Sequence, residues 1–204
     1  SMNFDQSMLV TVTAQHAREL RRLIGAPLAP QIAPTASKVL MVAALNAAEI
    51  DLLQTIATLL PTITAQQTVC GHWTLQDLLG HLADWDRYFD NWLAGLTDSA
   101  TQDLYWDDDG DRFNAWLCEQ RKGEPWEQTW ADFRGNRQTL VAHLQVVSDI
   151  DFLREQPEST SYPSVYHCAW SALEHYLDHT AGLRRELQMP IAEELWHFRG
   201  PYTE

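Results

Sequence analysis

The sequence predicts an all-α protein: a four-helix bundle with long crossover connections and an extra N-terminal helix. Three observations predict it. Four long segments, 35–60, 74–96, 125–148 and 164–187, carry apolar residues at the i, i+3, i+4, i+7 spacing of a helix buried on one face. No stretch alternates polar and apolar residues over a useful strand length. The connections are polar and broken by proline or glycine, and the one at 97–124 is long enough for a crossover. The layout is a helix and Pro-rich hinge at 1–34, the bundle at 35–190 and a tail at 191–204.

Residues 7–24 form a moderately amphipathic helix ending at Gly25. Pro27, Pro30 and Pro34 then make a hinge that cannot be helix interior. That first helix either packs on the bundle exterior or serves as a lid or dimer arm. The first long helix, Thr35–Leu60, has its stripe at Val42, Leu45, Leu52, Leu53, Ile56 and Leu60. Thr35 or Ser37 caps it and Pro61 stops it. Glu49 falls within that stripe. It either reaches solvent at the stripe's edge or is held by a cation, a metal or a hydrogen bond, because a bare buried charge costs too much.

Gly71-His72-Trp73-Thr74 opens the second helix, with Thr74 as N-cap and Asp77 in the first turn. Its buried face is Leu75, Leu78, Leu79, Leu82, Phe89, Leu93 and Leu96. His81 lies on the flank of that face, with Trp85, Tyr88 and Trp92. In the long connection, Asp107, Asp108, Asp109, Gly110 and Asp111 lack the alternation and terminal Glu of a calcium loop and read as an acidic turn capping a short helix, Asp111–Gln120. Pro125 starts the third long helix, whose stripe is Trp126, Trp130, Phe133, Leu140, Val141, Leu144 and Val147. His143 flanks it, a weak candidate ligand that reads as structural. Residues 148–163 form a polar loop. The last helix, Ser164–Leu187, buries Val165, Ala169, Ala172, Leu173, Tyr176, Leu183 and Leu187, and Met189-Pro190 ends it.

The formal charge of −14, from 28 acids against 14 Lys and Arg, comes without a basic cluster. That excludes nucleic acid and an anionic membrane surface as main partners. Cys70, Cys118 and Cys168 are odd in number and lack a CxxC, which predicts a reducing cytoplasm rather than a disulfide framework. No apolar run reaches span length and no signal-peptide pattern is present. Ser1 ahead of Met2 reads as a tag remnant.

The chemistry lies in the histidines. His175 and His179 are spaced i,i+4, so both imidazoles share one helix face, on a flank that also carries Cys168. Two ligands so placed can close on one metal. With eight histidines in the chain the pair alone is weak, and a lone His81 at a helix flank is more often structural.

GHWTLQDLLGHLADWDRYFDNWL, with ALEHYLDHTAGLRREL further on, resembles the DinB-like superfamily of bacterial four-helix-bundle proteins. The lead-in TASKVLMVAALNAAEIDLLQTIATLLP resembles the first helix of its DfsB/ClbS-like branch. The resemblance covers residues 35–188 and implies one divalent metal held by His81, His175 and His179. Residues 1–34 take no meaning from it. Three neutral imidazoles leave the ion its full charge and an open position, where a water is acidified or a thiolate or carboxylate binds. Zinc and nickel suit the donors best, with iron and manganese as alternatives. Asp77, Asp84, Glu174 and Asp178 lie near the ligands in sequence. One or more could hold an imidazole N–H, although each reads first as a surface acid.

The functions that follow are, in order, metal-dependent hydrolysis of a small molecule, a thiol-dependent S-transferase or isomerase, a non-catalytic protective binding module, and a structural bundle with unrelated histidines. The acidic surface offers no cradle for an anionic thiol, which ranks the transferase second. No catalytic residue is named by a motif; Glu49 is the acid to test as a base. A homodimer fits the family.

Overall fold

A computed structural model describes residues 34–59, 65–96, 108–158 and 161–189. The N-terminal helix, most of the hinge, Asp107 and the tail with Trp196, His197 and Tyr202 lie outside the described residues. The elements are α1 (Pro34–Leu59), β1 (Thr68–Cys70), β2 (Trp73–Thr74), α2 (Leu75–Gly95), α3 (Gly110–Gln120), α4 (Trp126–Val146), α5 (Asp149–Leu153) and α6 (Val165–Glu186). The four long helices are the four expected, and the class is all-α, in keeping with a DinB-like bundle. The elements divide into two compact units, one holding α1, α5, α6 and the end of α4, the other β1, β2, α2, α3 and α4 as far as His143.

In the first unit α1 packs against α6 and α5. Its buried line is Met41, Ala44, Leu45, Ala48, Leu52, Ile56 and Leu59. Of the expected stripe, Leu45, Leu52, Leu53 and Ile56 are buried and Val42 is half-buried, while Leu60 lies outside the described residues. Glu49, only 8% exposed, does not reach out to solvent. Arg184 of α6 donates from Nε to Thr55 Oγ1 at 2.9 Å and pairs with Asp51 at 2.7 Å. Lys38 gives its ammonium protons to the carbonyls of Gln145 (3.1 Å) and Val147 (2.8 Å), capping the end of α4, and pairs with Asp149. The segment expected as a plain loop contains α5, capped by Ser148 and anchored by buried Phe152 against Tyr166. Ser164 caps α6 by accepting from the His167 amide.

Among the described helices, Lys38–Leu59 is long and apolar enough by composition to cross a membrane, at mean hydropathy 1.5. It also packs on α6 and α5, and a core helix can have the same composition.

In the second unit a two-stranded hairpin that the sequence did not reveal precedes α2. It pairs Thr68 with Thr74 and Cys70 with Trp73, and its turn uses Gly71 at φ +56°, a conformation that glycine adopts without cost. Thr74 and Asp77 form the expected capping box: the Thr74 hydroxyl accepts from the Asp77 amide at 3.1 Å and the Asp77 carboxylate accepts from the Thr74 amide at 3.0 Å. Asp109 caps α3, as the acidic-turn reading requires. Pro125 sits one residue ahead of α4, its carbonyl accepting from Thr129.

Two guanidinium groups tie this unit together. Arg121, just past α3, forks onto Asp84 (3.0 and 2.8 Å) and also meets Glu124 and Asp132. It lies so close to α2 that a Cβ on Gly80 would sit 2.7 Å from its Cδ. Arg137 of α4 forks onto Asp86 (2.9 and 2.8 Å), and both side chains are fully buried. Arg137→Met should therefore strand a buried carboxylate and cost about 3–5 kcal/mol in denaturant unfolding. Adding Asp86→Leu should recover most of that loss; a double variant no better than the single one would mean the charge is not the cause.

Candidate metal centre

In the first unit, α6 presents His175 and His179 on one flank, as their spacing requires. Their ring centroids are 4.7 Å apart at an interplanar angle of 77°. Burial lowers the His179 pKa from the usual 6.5 to about 4, so its ring is neutral and keeps a lone pair at physiological pH. Neighbouring Glu174 is pushed up, first by burial and then by the charge of Asp178. Cys168 is fully buried on the same helix. None of Cys70, Cys118 and Cys168 is in a disulfide.

In the second unit, His81 is 8% exposed on α2. Its ring meets Trp73 at 4.6 Å and Trp85 at 6.5 Å. Trp85 is one of the residues, with Tyr88 and Trp92, that the helix pattern places on the flank of His81. Trp73 was not singled out, although its place just ahead of the Thr74 cap is a signal that could have found it. Trp85 is held by its Nε1–H, which donates to Asn114 at 2.9 Å.

Several acids and one histidine have other duties. Asp84 is a buried partner of Arg121, not a surface acid. Asp77 closes the capping box and accepts from the Cys118 thiol at 3.7 Å. Burial and the Asp77 charge push that thiol's pKa up. His143, the weak fourth candidate, is an exposed ring with Nδ1 2.6 Å from Asp90.

The donor atoms of His81, His175 and His179 all lie within 4.8 Å of one another. Three histidine nitrogens that close fit a divalent metal site, and the donor set is the one expected of an ion that keeps an open position. In the metal-free protein the His179 ring should titrate near pH 4 by NMR. Its folded pKa lies below its unfolded one, so the unfolded chain takes up the proton first. The stability that His179 contributes is then complete above about 6.5 and lost as pH falls towards 4. A midpoint near 6.5 would contradict its burial.

Comparison with known proteins fits this picture. No curated protein matches the chain significantly. The crystal structure of an uncharacterised protein from Escherichia coli UTI89 is similar in fold, with a TM-score of 0.64 at 15% identity, over 74% of this chain and 92% of that one. Residues 45–165 match the model of the mycothiol maleylpyruvate isomerase N-terminal domain. That match spans more than half of the sequence and takes in α2 with His81, so the chain belongs to the mycothiol maleylpyruvate isomerase N-terminal domain family, within the DinB-like superfamily.

Proposed function

We propose that His81, His175 and His179 hold one divalent transition metal, and that the protein is a metal-dependent enzyme acting on a small molecule. The observation that carries this reading is the closeness of three histidine donor atoms contributed by two helices far apart in sequence. Zinc or nickel suits three imidazoles best. When bound, the ion would supply Lewis acidity at the position the histidines leave open. The protein's own contribution is to keep these rings away from water. His179 is desolvated, and the indoles of Trp73 and Trp85 cover the ring of His81.

Two chemistries compete for that centre. Thiol-dependent isomerisation or S-transfer is favoured by the family match, since the family takes its name from an isomerase that uses mycothiol. Hydrolysis, the first expectation from sequence, is the alternative. A cytoplasmic setting suits either one, because three cysteines without a disulfide are at home where thiols stay reduced. No acid is assigned as the base; Glu49, buried on α1, is the one to test in that role.

The purified protein should carry about one equivalent of metal, as expected of a single site. His81→Ala, His175→Ala and His179→Ala should each lose most of it by elemental analysis. A protein that is empty and cannot be reloaded would end this reading. Assays of maleylpyruvate-like and ester substrates, with and without mycothiol or glutathione, separate the two chemistries: turnover that needs no thiol favours hydrolysis. Glu49→Gln should keep its metal and lose at least about a hundred-fold in turnover, the usual scale for a missing general base; full activity would remove Glu49 from the mechanism.

A further inference from the structure

The ring of His81 has two aromatic neighbours, one tilted against it and one edge-on. Its centroid lies 4.6 Å from that of Trp73, with the planes inclined at 47°, and 6.5 Å from that of Trp85, at 69°. The indole of Trp85 and the backbone of Trp73 are each tied to neighbouring structure. Trp73 stands on β2 opposite Cys70, one residue before the capping box that starts α2. Trp85 donates to Asn114 and meets Phe113 edge-on at 5.5 Å. Metal-binding imidazoles are more commonly oriented by a carboxylate or carbonyl that accepts from the second ring nitrogen.

We propose that Trp73 is a positioning residue for the metal centre: its indole, packed on the imidazole of His81, sets the plane of that ring and so the direction of its donor nitrogen. The inference rests on the reading of His81, His175 and His179 as ligands. An imidazole turns about a broad χ2 well, and binding an ion confines it. A flat, immobile neighbour confines it beforehand, so less freedom is lost when the ion arrives. The hairpin has a purpose in this arrangement. Its turn at Gly71 and its junction with the capping box make Trp73 part of the rigid start of α2 rather than of a loose loop.

The test compares the full-length, metal-free chain as wild type, Trp73→Phe and Trp73→Leu. Zn(II) is titrated against a chromophoric chelator. Leucine keeps apolar bulk but has no flat face, and should weaken binding about ten-fold or more, as loss of an orienting neighbour does. Phenylalanine keeps a face and should bind within about two-fold of wild type. Equal affinity in all three chains overturns the role of Trp73 and leaves the three-histidine centre standing. A wild type that takes up no metal overturns both. A role confined to stability would lower the melting temperature of Trp73→Leu without changing the affinity of its folded fraction, and that outcome too counts against the proposal. A second readout needs only the Phe variant: Ni(II) loading should quench the emission difference between wild type and Trp73→Phe, and a difference that survives loading overturns the contact.

Discussion

The roll of α2 about its own axis is fixed by two guanidinium forks, and the placing of His81 depends on that roll. Asp84 and Asp86 are two residues apart, so on a helix they point to nearly opposite sides. Arg121 grips the first and Arg137 the second, each through two parallel hydrogen bonds. Forks on two different sides add directional restraints to the packing of its apolar face. His81, one turn before Asp84, inherits that precision, and Trp73 and Trp85 complete it from the aromatic side.

Such an arrangement is costly in principle. A fully buried ion pair surrenders the hydration of both charges and often gains no more than it loses against a well-packed apolar pair. What it contributes is discrimination, since a carboxylate with no guanidinium to meet is a strong argument against any other register. Arg121 shows the same logic in a half-buried setting, with three carboxylates around one cation and its stem laid along α2 at Gly80. A side chain at position 80 would leave no room for it.

Local rules made much of this legible. The Thr74–Asp77 box and the acidic turn that supplies the Asp109 cap are short-range patterns with their partners a few residues away, and they set the starts of α2 and α3 as expected; the Ser164 cap of α6 is as local but was not part of the reading. The i,i+4 spacing alone put His175 and His179 on one face. What stayed hidden depends on distant partners or on very short elements. Arg137 falls at a core position of α4, between Phe133 and Leu140, and the sequence reading passed over it because its partner, Asp86, lies 51 residues away. Strands of three and two residues are too short to show alternation, so the hairpin and the role of Trp73 went unseen. Glu49 was weighed as an edge residue because acids are seldom buried, and burial depends on neighbours that sequence periodicity does not name.

The partners of α1 have a consequence for how the chain is made. α1 is apolar almost all round and packs against α5 and α6, which are synthesised well after it. Arg184 meets Asp51 across 133 residues of chain. At the usual pace of translation that separation is a wait on the order of ten seconds. Throughout it the newly made N-terminal half shows an uncovered apolar helix, which is the kind of surface that nascent-chain chaperones bind. Thr64–His143, whose packing elements follow one another directly, has no such delay. Until α5 and α6 are made, α1 lacks the helices it packs against, whereas α2 and α3 are close neighbours in the chain.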